Sequence, residues 1–192
     1  MYYVDKGNQQ DSADLAYDSV EFENYVNWVK DQEGFEPYIY NDSAGISTVG
    51  YGHTNKDTIN KLTYQGESLH GITEKEADAL LRLDLSKNFD TLRQRMANLG
   101  RLHDFDSLDS NAKYMMLDYE FNIGNINKYP MMRDAILDRD WDSVLYQFER
   151  FYKDENTGDQ KLLEYRNKGT YDNFLKHRFE IGESLTEEEY WQ

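Results

Sequence analysis

Apolar positions in this chain recur mainly at the three- and four-residue spacing of α-helices, and the longest such stripe lies near the middle. A capping box formed by Thr73 and Glu76 precedes it. The stripe itself consists of Ala77, Leu80, Leu81, Leu85, Phe89, Leu92 and Met96. This pattern predicts the chain's longest helix, over residues 74–97. Shorter patterns predict further helices over 108–122, 126–137, 141–153, 159–167 and 171–181. Asp140 and Thr170 are predicted N-caps.

An earlier helix is predicted to end at a carboxyl group. Its apolar stripe consists of Phe22, Val26 and Val29. Glu33 continues this stripe at the same spacing, and Gly34 is a residue type that commonly ends helices. We therefore expect Glu33 to be partly buried in the last turn, near the negative end of the helix dipole. Both conditions disfavour its ionised form, as a general acid working near neutral pH requires.

The segment after this helix predicts a β-hairpin. Two short runs of strand-forming residues flank the turn-prone residues 41–45. Asp42 therefore sits at a strand end. If the hairpin folds back beside the helix, it can place Asp42 and Thr48 across a cleft from Glu33. The following residues, 54–72, are polar and predict a loop with room for one short strand.

The candidate residues form an ordered motif: Glu33-Gly34, then Asp42, then Thr48-Val49-Gly50-Tyr51-Gly52-His53. Further segments match in order: 72–77, 121–124, 133–141 and 168–171. Together they resemble the phage-type lysozymes, the endolysins or muramidases of glycoside hydrolase family 24. The resemblance covers roughly residues 20–178.

This resemblance implies an α+β fold that is mostly α and lysozyme-like. A small lobe with a short β-hairpin sheet would span about 21–72 of a lysozyme domain at 21–181. The long helix, about 74–97, would join it to a larger helical lobe at about 98–181. Residues 1–20 would be a flexible N-terminal extension. Residues 182–192 would form an acidic tail or a short helix that begins at the capping box Thr186 to Glu189.

The implied function is a muramidase that hydrolyses the β-1,4 bond between N-acetylmuramic acid and N-acetylglucosamine with inversion, for bacterial cell-wall lysis in a phage cycle. Glu33 would protonate the glycosidic oxygen while Asp42 orients a water molecule that Thr48 also holds. Relatives often carry paired arginines near the acid, whereas this chain offers only Arg166. We therefore expect a cation to be lost near Glu33, which would favour its protonated form further.

Substrate contacts and a structural ion pair also follow from the resemblance. The implied contacts are Thr54, Phe121, Asn122, Met132 and Gln147. Core packing explains Phe121 equally well, and a helix C-cap explains Asn122 equally well. His53 and Asp84 are expected to form an ion pair between the small lobe and the long helix.

The composition of the chain excludes several kinds of functional site and binding partner. The chain has no cysteine, which excludes thiolate metal sites and cysteine nucleophiles. Its four histidines lack metal-ligand spacing, so we expect neither a metal nor a cofactor. No apolar run is long enough to span a bilayer. The expected partner is the glycan strand of peptidoglycan, with no nucleic acid and no membrane insertion.

The N-terminal residues lack the apolar run of a secretory signal. We therefore expect the protein in the host cytoplasm. It would reach the cell wall through a membrane hole, or it would be packaged in the virion.

Net charge leaves other functions open. The formal net charge is −16, and residues 1–21 and 183–192 contribute −4 each. Peptidoglycan is mostly anionic, so the chain should be repelled at long range and depend on short-range contacts in its groove. One alternative is a non-lytic virion protein whose acidic termini bind a basic partner. Another is a lytic transglycosylase, which needs a catalytic acid but no water-positioning pair.

Overall fold

The long apolar stripe forms α3 (Glu74–Asn98), a helix of 25 residues. The computed structural model describes residues 19–42, 45–64, 67–68, 70–154, 157–180 and 182. Both hydrogen bonds of the predicted capping box between Thr73 and Glu76 are present. The buried side chains of α3 are Ala77, Leu81, Leu85, Phe89, Leu92 and Met96. The predicted stripe is therefore confirmed, except that Leu80 is only half-buried.

The first described helix, α1 (Val20–Glu33), ends at the predicted carboxyl group. Its stripe is fully buried. The chain leaves the helix at Gly34, whose φ of 71° suits glycine and whose N–H donates to the carbonyl of Lys30 at 2.9 Å. Tyr25 stacks on Tyr114 of α5 (Ser110–Ile123) with ring centroids 5.0 Å apart, which fixes α1 against the helical lobe.

The predicted hairpin follows. Strand β1 (Glu36–Asn41) pairs antiparallel with β2 (Ser47–Gly50), and Tyr40 lies opposite Thr48. The register shifts between Glu36 and Tyr40. Beyond β2 the chain doubles back, and Val49 and His53 exchange two backbone hydrogen bonds of 3.0 and 2.9 Å. This turn holds the ring of His53 against the interior.

The next segment contains a helix that the polar sequence did not indicate. It forms α2 (Lys56–Leu62) and then a minimal hairpin of β3 (Thr63–Tyr64) and β4 (Glu67–Ser68). The predicted loop with one short strand is therefore wrong. The Asn55 side chain caps α2 by accepting from the N–H groups of Asp57 and Thr58. Because Ile59 is the single buried residue of this helix, no apolar stripe marks it in the sequence.

The chain after α3 is mostly helical, with one short hairpin. The elements of this part are, in order, α4 (Leu102–Asp106), α5, a 3₁₀ turn (Ile126–Lys128), α6 (Pro130–Asp138), α7 (Trp141–Gln147), β5 (Phe151–Lys153), β6 (Gln160–Leu162), α8 (Glu164–Thr170), a π-helical stretch (Tyr171–Leu175) and α9 (Lys176–Glu180). The centre of this lobe is α5, in which every side chain from Tyr114 to Glu120 is buried. The fold is thus α+β and mostly helical. A small lobe with a short sheet is joined by a long helix to a larger helical lobe.

Two predicted helices of this lobe, 141–153 and 159–167, are partly wrong. Helix α7 stops at Gln147, and the chain then forms the antiparallel hairpin of β5 and β6. The turn between them includes Gly158, which has a φ of 76° and donates to the carbonyl of Asp154 at 2.8 Å. Short apolar runs such as these do not distinguish strand from helix by spacing alone.

The predicted helix caps differ in outcome. Asp140 caps α7, since its side chain accepts from the N–H of Ser143 at 3.1 Å. Thr170 is not an N-cap, because the helix continues through it into the π-helical stretch. Its hydroxyl instead donates to the carbonyl of Arg166 at 2.9 Å.

Some predictions concern residues that the structure does not describe. Apart from positions 19 and 20, the N-terminal extension lies outside the described residues, as does the capping box Thr186 to Glu189. Within the described part, no helix combines the length and apolar character needed to cross a membrane.

The central packing of α3 can be tested with a matched pair of substitutions. Leu85 is 0% exposed and Leu83 is 48% exposed on the same helix. We expect Leu85→Ala to lower the free energy of unfolding by about 2–5 kcal/mol, because it removes buried contacts and leaves a cavity. Leu83→Ala should change it by less than about 0.5 kcal/mol. Urea denaturation measures both, and equal losses would contradict this account of the core.

Candidate active site

A cleft of about 700 Å³ runs between the small lobe and the helical lobe. The end of α1, the β1–β2 hairpin, α3 and the end of α5 all contribute to it. Its lining residues are Glu33, Tyr40, Asp42, Ile46, Thr48, Gly52, Thr54, Asn55, Asp84, Lys87, Asn88, Phe121, Asn122 and Gly124. The structure thus brings the three predicted catalytic residues to one cleft.

At the end of α1, Glu33 is held by an arginine from the far end of the chain. Its side chain is 23% exposed, and Oε1 accepts a hydrogen bond of 2.7 Å from Nη1 of Arg166 on α8. The expected loss of a cation near Glu33 is therefore wrong. The guanidinium fixes the position of this carboxyl group at the end of the helix.

Arg166 is itself part of a buried charge network. Its Nη2 donates to Oδ1 of Asp118 at 2.6 Å, and Nη1 of Arg150 donates to the other oxygen, Oδ2, at 2.6 Å. Asp118 is 0% exposed and Arg150 is 1% exposed. Burial lowers the pKa of Arg166, but Asp118 and Glu33 outweigh burial and raise that pKa above its usual value. Arg166 therefore remains a cation beside Glu33.

The hairpin positions the second carboxyl group and the hydroxyl. Asp42 directly follows β1, and its Oδ1 accepts from the N–H of Ile46 at 2.8 Å across the turn. Thr48 is 3% exposed, and its hydroxyl donates to the carbonyl of Ile46 at 2.9 Å. This bond uses the hydroxyl proton and leaves the oxygen able to accept from a water molecule.

Tyr40 lies close to both carboxyl groups. Burial raises the pKa of its hydroxyl, and the negative charges of Glu33 and Asp42 add to this effect. The Tyr40 hydroxyl in the cleft wall is therefore close enough to Glu33 and Asp42 to feel the charge of both.

His53 and Asp84 contact each other where the small lobe meets α3. His53 is 2% exposed, and its Nδ1 lies 2.6 Å from Oδ2 of Asp84 on α3. The other ring nitrogen, Nε2, lies 3.1 Å from the hydroxyl of Thr58 on α2. These contacts join the turn after β2 to both α2 and α3.

Comparison with known proteins decides the family. The sequence profile described as phage lysozyme matches residues 30–169. The chain belongs to the phage lysozyme family. It is therefore a phage hydrolase that degrades peptidoglycan. The matched range contains the whole cleft and the buried charge network. No curated protein matches the chain.

Three of the five implied substrate contacts of this lysozyme lie in the cleft, namely Thr54, Phe121 and Asn122. Met132 and Gln147 instead line a separate depression of about 360 Å³ beside α6 and α7. Met132 is 1% exposed because it lies on the buried face of α6. The structure therefore does not bring these two residues to the catalytic groups.

Sequence reasoning missed the buried half of the charge network. Asp118 and Arg150 lie 32 residues apart, and spacing gives no reason to pair them. The available signal was Asp118 itself, which with Glu120 is one of two acidic residues in the otherwise apolar run from Met115 to Phe121. A charge in such a run needs a buried partner. Also missed were the cleft residues Asn55, Lys87 and Asn88.

The contact between His53 and Asp84 can be tested by replacing Asp84. We expect Asp84→Ala to lower the free energy of unfolding by about 1–3 kcal/mol, because it leaves the buried Nδ1 of His53 without its partner. Asp90→Ala is the matched control, since Asp90 is exposed on the same helix and the replacement changes helix propensity equally. Thermal and urea unfolding measure the difference, and equal effects would rule out a stabilising pair.

Proposed function

We propose that this lysozyme is an inverting muramidase that cleaves the β-1,4 bond from N-acetylmuramic acid to N-acetylglucosamine. The observation that carries the proposal is the presence of Glu33, Asp42 and Thr48 on one cleft, each in a fixed environment. Thr54, Phe121 and Asn122 are the proposed sugar contacts in the same cleft. Hydrolysis with inversion needs an acid on one face of the sugar ring and an activated water on the other.

Glu33 is the proposed general acid. Its Oε1 is held by Arg166, while Oε2 receives no hydrogen bond from any described group and lies next to Gly52, where a side chain would begin 3.6 Å away. In the protonated enzyme, Oε2 is the oxygen available to carry the proton. As the bond to C1 lengthens, that proton passes to the glycosidic oxygen, which leaves as the hydroxyl of N-acetylglucosamine.

Asp42 and Thr48 are the proposed water-positioning pair. The water donates one hydrogen bond to Asp42 and another to the hydroxyl oxygen of Thr48. Its oxygen attacks C1 from the face opposite the leaving group while a proton moves to Asp42. The negative charge of Asp42 also favours the oxocarbenium-like transition state. The product then has a free reducing end at N-acetylmuramic acid.

The experiment that tests this function is digestion of purified peptidoglycan by Glu33→Gln. This substitution keeps the shape of the side chain and removes the transferable proton, so we expect kcat to fall by about 10²- to 10⁴-fold. Asp31→Asn is the matched control, because Asp31 is an exposed carboxylate two residues earlier on α1. Its kcat should match that of the wild type.

Mass spectrometry of the wild-type digest separates the possible chemistries. Reducing muramic acid ends support the proposal. Ends with a 1,6-anhydro ring would show a transglycosylase, and the absence of fragments would show a non-lytic scaffold. Near-wild-type turnover by Glu33→Gln would remove Glu33 from its role.

A further inference from the structure

Four side chains of alternating charge form a continuous buried line that ends at the cleft. Arg150 is bound to Asp118, Asp118 to Arg166, and Arg166 to Glu33, by three hydrogen bonds of 2.6, 2.6 and 2.7 Å. Exposure rises along the line, from 1% and 0% for the side chains of Arg150 and Asp118 to 9% and 23% for those of Arg166 and Glu33. The outermost member is thus the one that meets the substrate.

The inner end of this line is held firmly. Nη2 of Arg150 donates to the hydroxyl of Thr170, and its guanidinium lies 4.2 Å from the ring centroid of Tyr119. The backbone N–H and carbonyl of Arg150 are also bound by the amide of Asn167, at 2.9 and 3.0 Å. Since each Asp118 oxygen accepts from one arginine, Asp118 fixes Arg166 in the position from which it reaches Glu33.

The charge of the line depends on the protonation state of Glu33. With Glu33 ionised, two arginines face two carboxylates and the charges cancel. With Glu33 protonated, one positive charge is left in a poorly solvated region. Arg150 therefore favours the ionised form of Glu33, and Asp118 opposes it.

We propose that Arg150 and Asp118 are positioning residues that set, through Arg166, the pH above which Glu33 has lost the proton it needs for catalysis. This inference rests on the proposed role of Glu33 as the general acid. Neither residue lines the cleft. Arg166 is their link to Glu33, and Nη1 of Arg150 also donates to Oδ1 of Asn122 on the cleft wall at 3.4 Å.

Other charged and titratable groups also face Glu33. They are Tyr25 on α1, Tyr40 on β1, Asp42 after β1, and Asp84 and Lys87 across the cleft on α3. None of them is substituted in the Arg150 and Asp118 variants. A change in the pH profile between such variants therefore reports on the buried line.

The test is the pH dependence of kcat/KM on purified peptidoglycan, in which loss of the acid's proton gives the alkaline limb. In Arg150→Gln, the charge of Asp118 offsets that of Arg166, so the alkaline limb should move up by about one pH unit. In Asp118→Asn, two buried cations remain beside Glu33, and the limb should move down by a similar amount. The double variant removes one charge of each sign and should return the limb toward its wild-type position.

Glu120→Gln is the matched control. Glu120 is another buried carboxylate of α5 paired with an arginine, Arg95, at 3.0 Å, but it has no hydrogen bond to this line. Its variant should keep the wild-type limb even if it is less stable. Circular dichroism establishes which variants fold. Arg150→Gln leaves Asp118 paired with Arg166, so this variant and the double variant carry the test if Asp118→Asn does not fold.

Opposite shifts in the two single variants, or an upward shift that the double variant reverses, would support the inference. An unmoved limb in Arg150→Gln, or the same shift in Glu120→Gln, would overturn it and show that the line is only structural. Glu33→Gln separates this failure from failure of the proposed function. An inactive Glu33→Gln together with unmoved limbs would refute the role of Arg150 and Asp118 alone.

Discussion

The salt bridge between Arg166 and Glu33 is the interaction on which the site depends, since it joins residues 133 positions apart and fixes the end of α1 against α8. Close packing makes it possible. A Cβ at Gly169 would lie 2.6 Å from Nε1 of Trp28, so α8 approaches α1 at a distance that only glycine allows. Phe174 then meets the Trp28 ring edge-on at 5.1 Å. The core of the helical lobe and the position of the proposed acid therefore share one set of contacts.

This arrangement places charges of both signs around one carboxyl group. Glu33 lies partly buried at the end of α1, and Arg166 donates to its Oε1. Arg166 is not free to make a simple pair, because Asp118 holds it from the other side. The net charge of −16 adds no attraction to an anionic wall, so binding must come from contacts within the cleft.

Local patterns predicted the elements that carry the site, but not the contacts between distant elements. The end of α1 at Glu33, the β1–β2 hairpin and the capping box of α3 follow from spacing and turn chemistry within a few residues. The partner of Asp118 does not, because it depends on how α7, α8 and α5 pack. The sequence predicts helix where the β5–β6 hairpin forms, because its short apolar runs fit the spacing of both helix and strand. The family resemblance implies Met132 as a sugar contact, yet its side chain lies on the buried face of α6.

The central claim, that Glu33 and the water held by Asp42 and Thr48 act on opposite faces of the sugar, is tested most directly by product stereochemistry. Proton NMR during the first turnovers on soluble glycan fragments of peptidoglycan would record the anomer of the new reducing end before it mutarotates. The account predicts the α-anomer of N-acetylmuramic acid first, since the β-bond is broken with inversion. Initial appearance of the β-anomer would mean retention and would contradict the assigned roles of Asp42 and Thr48.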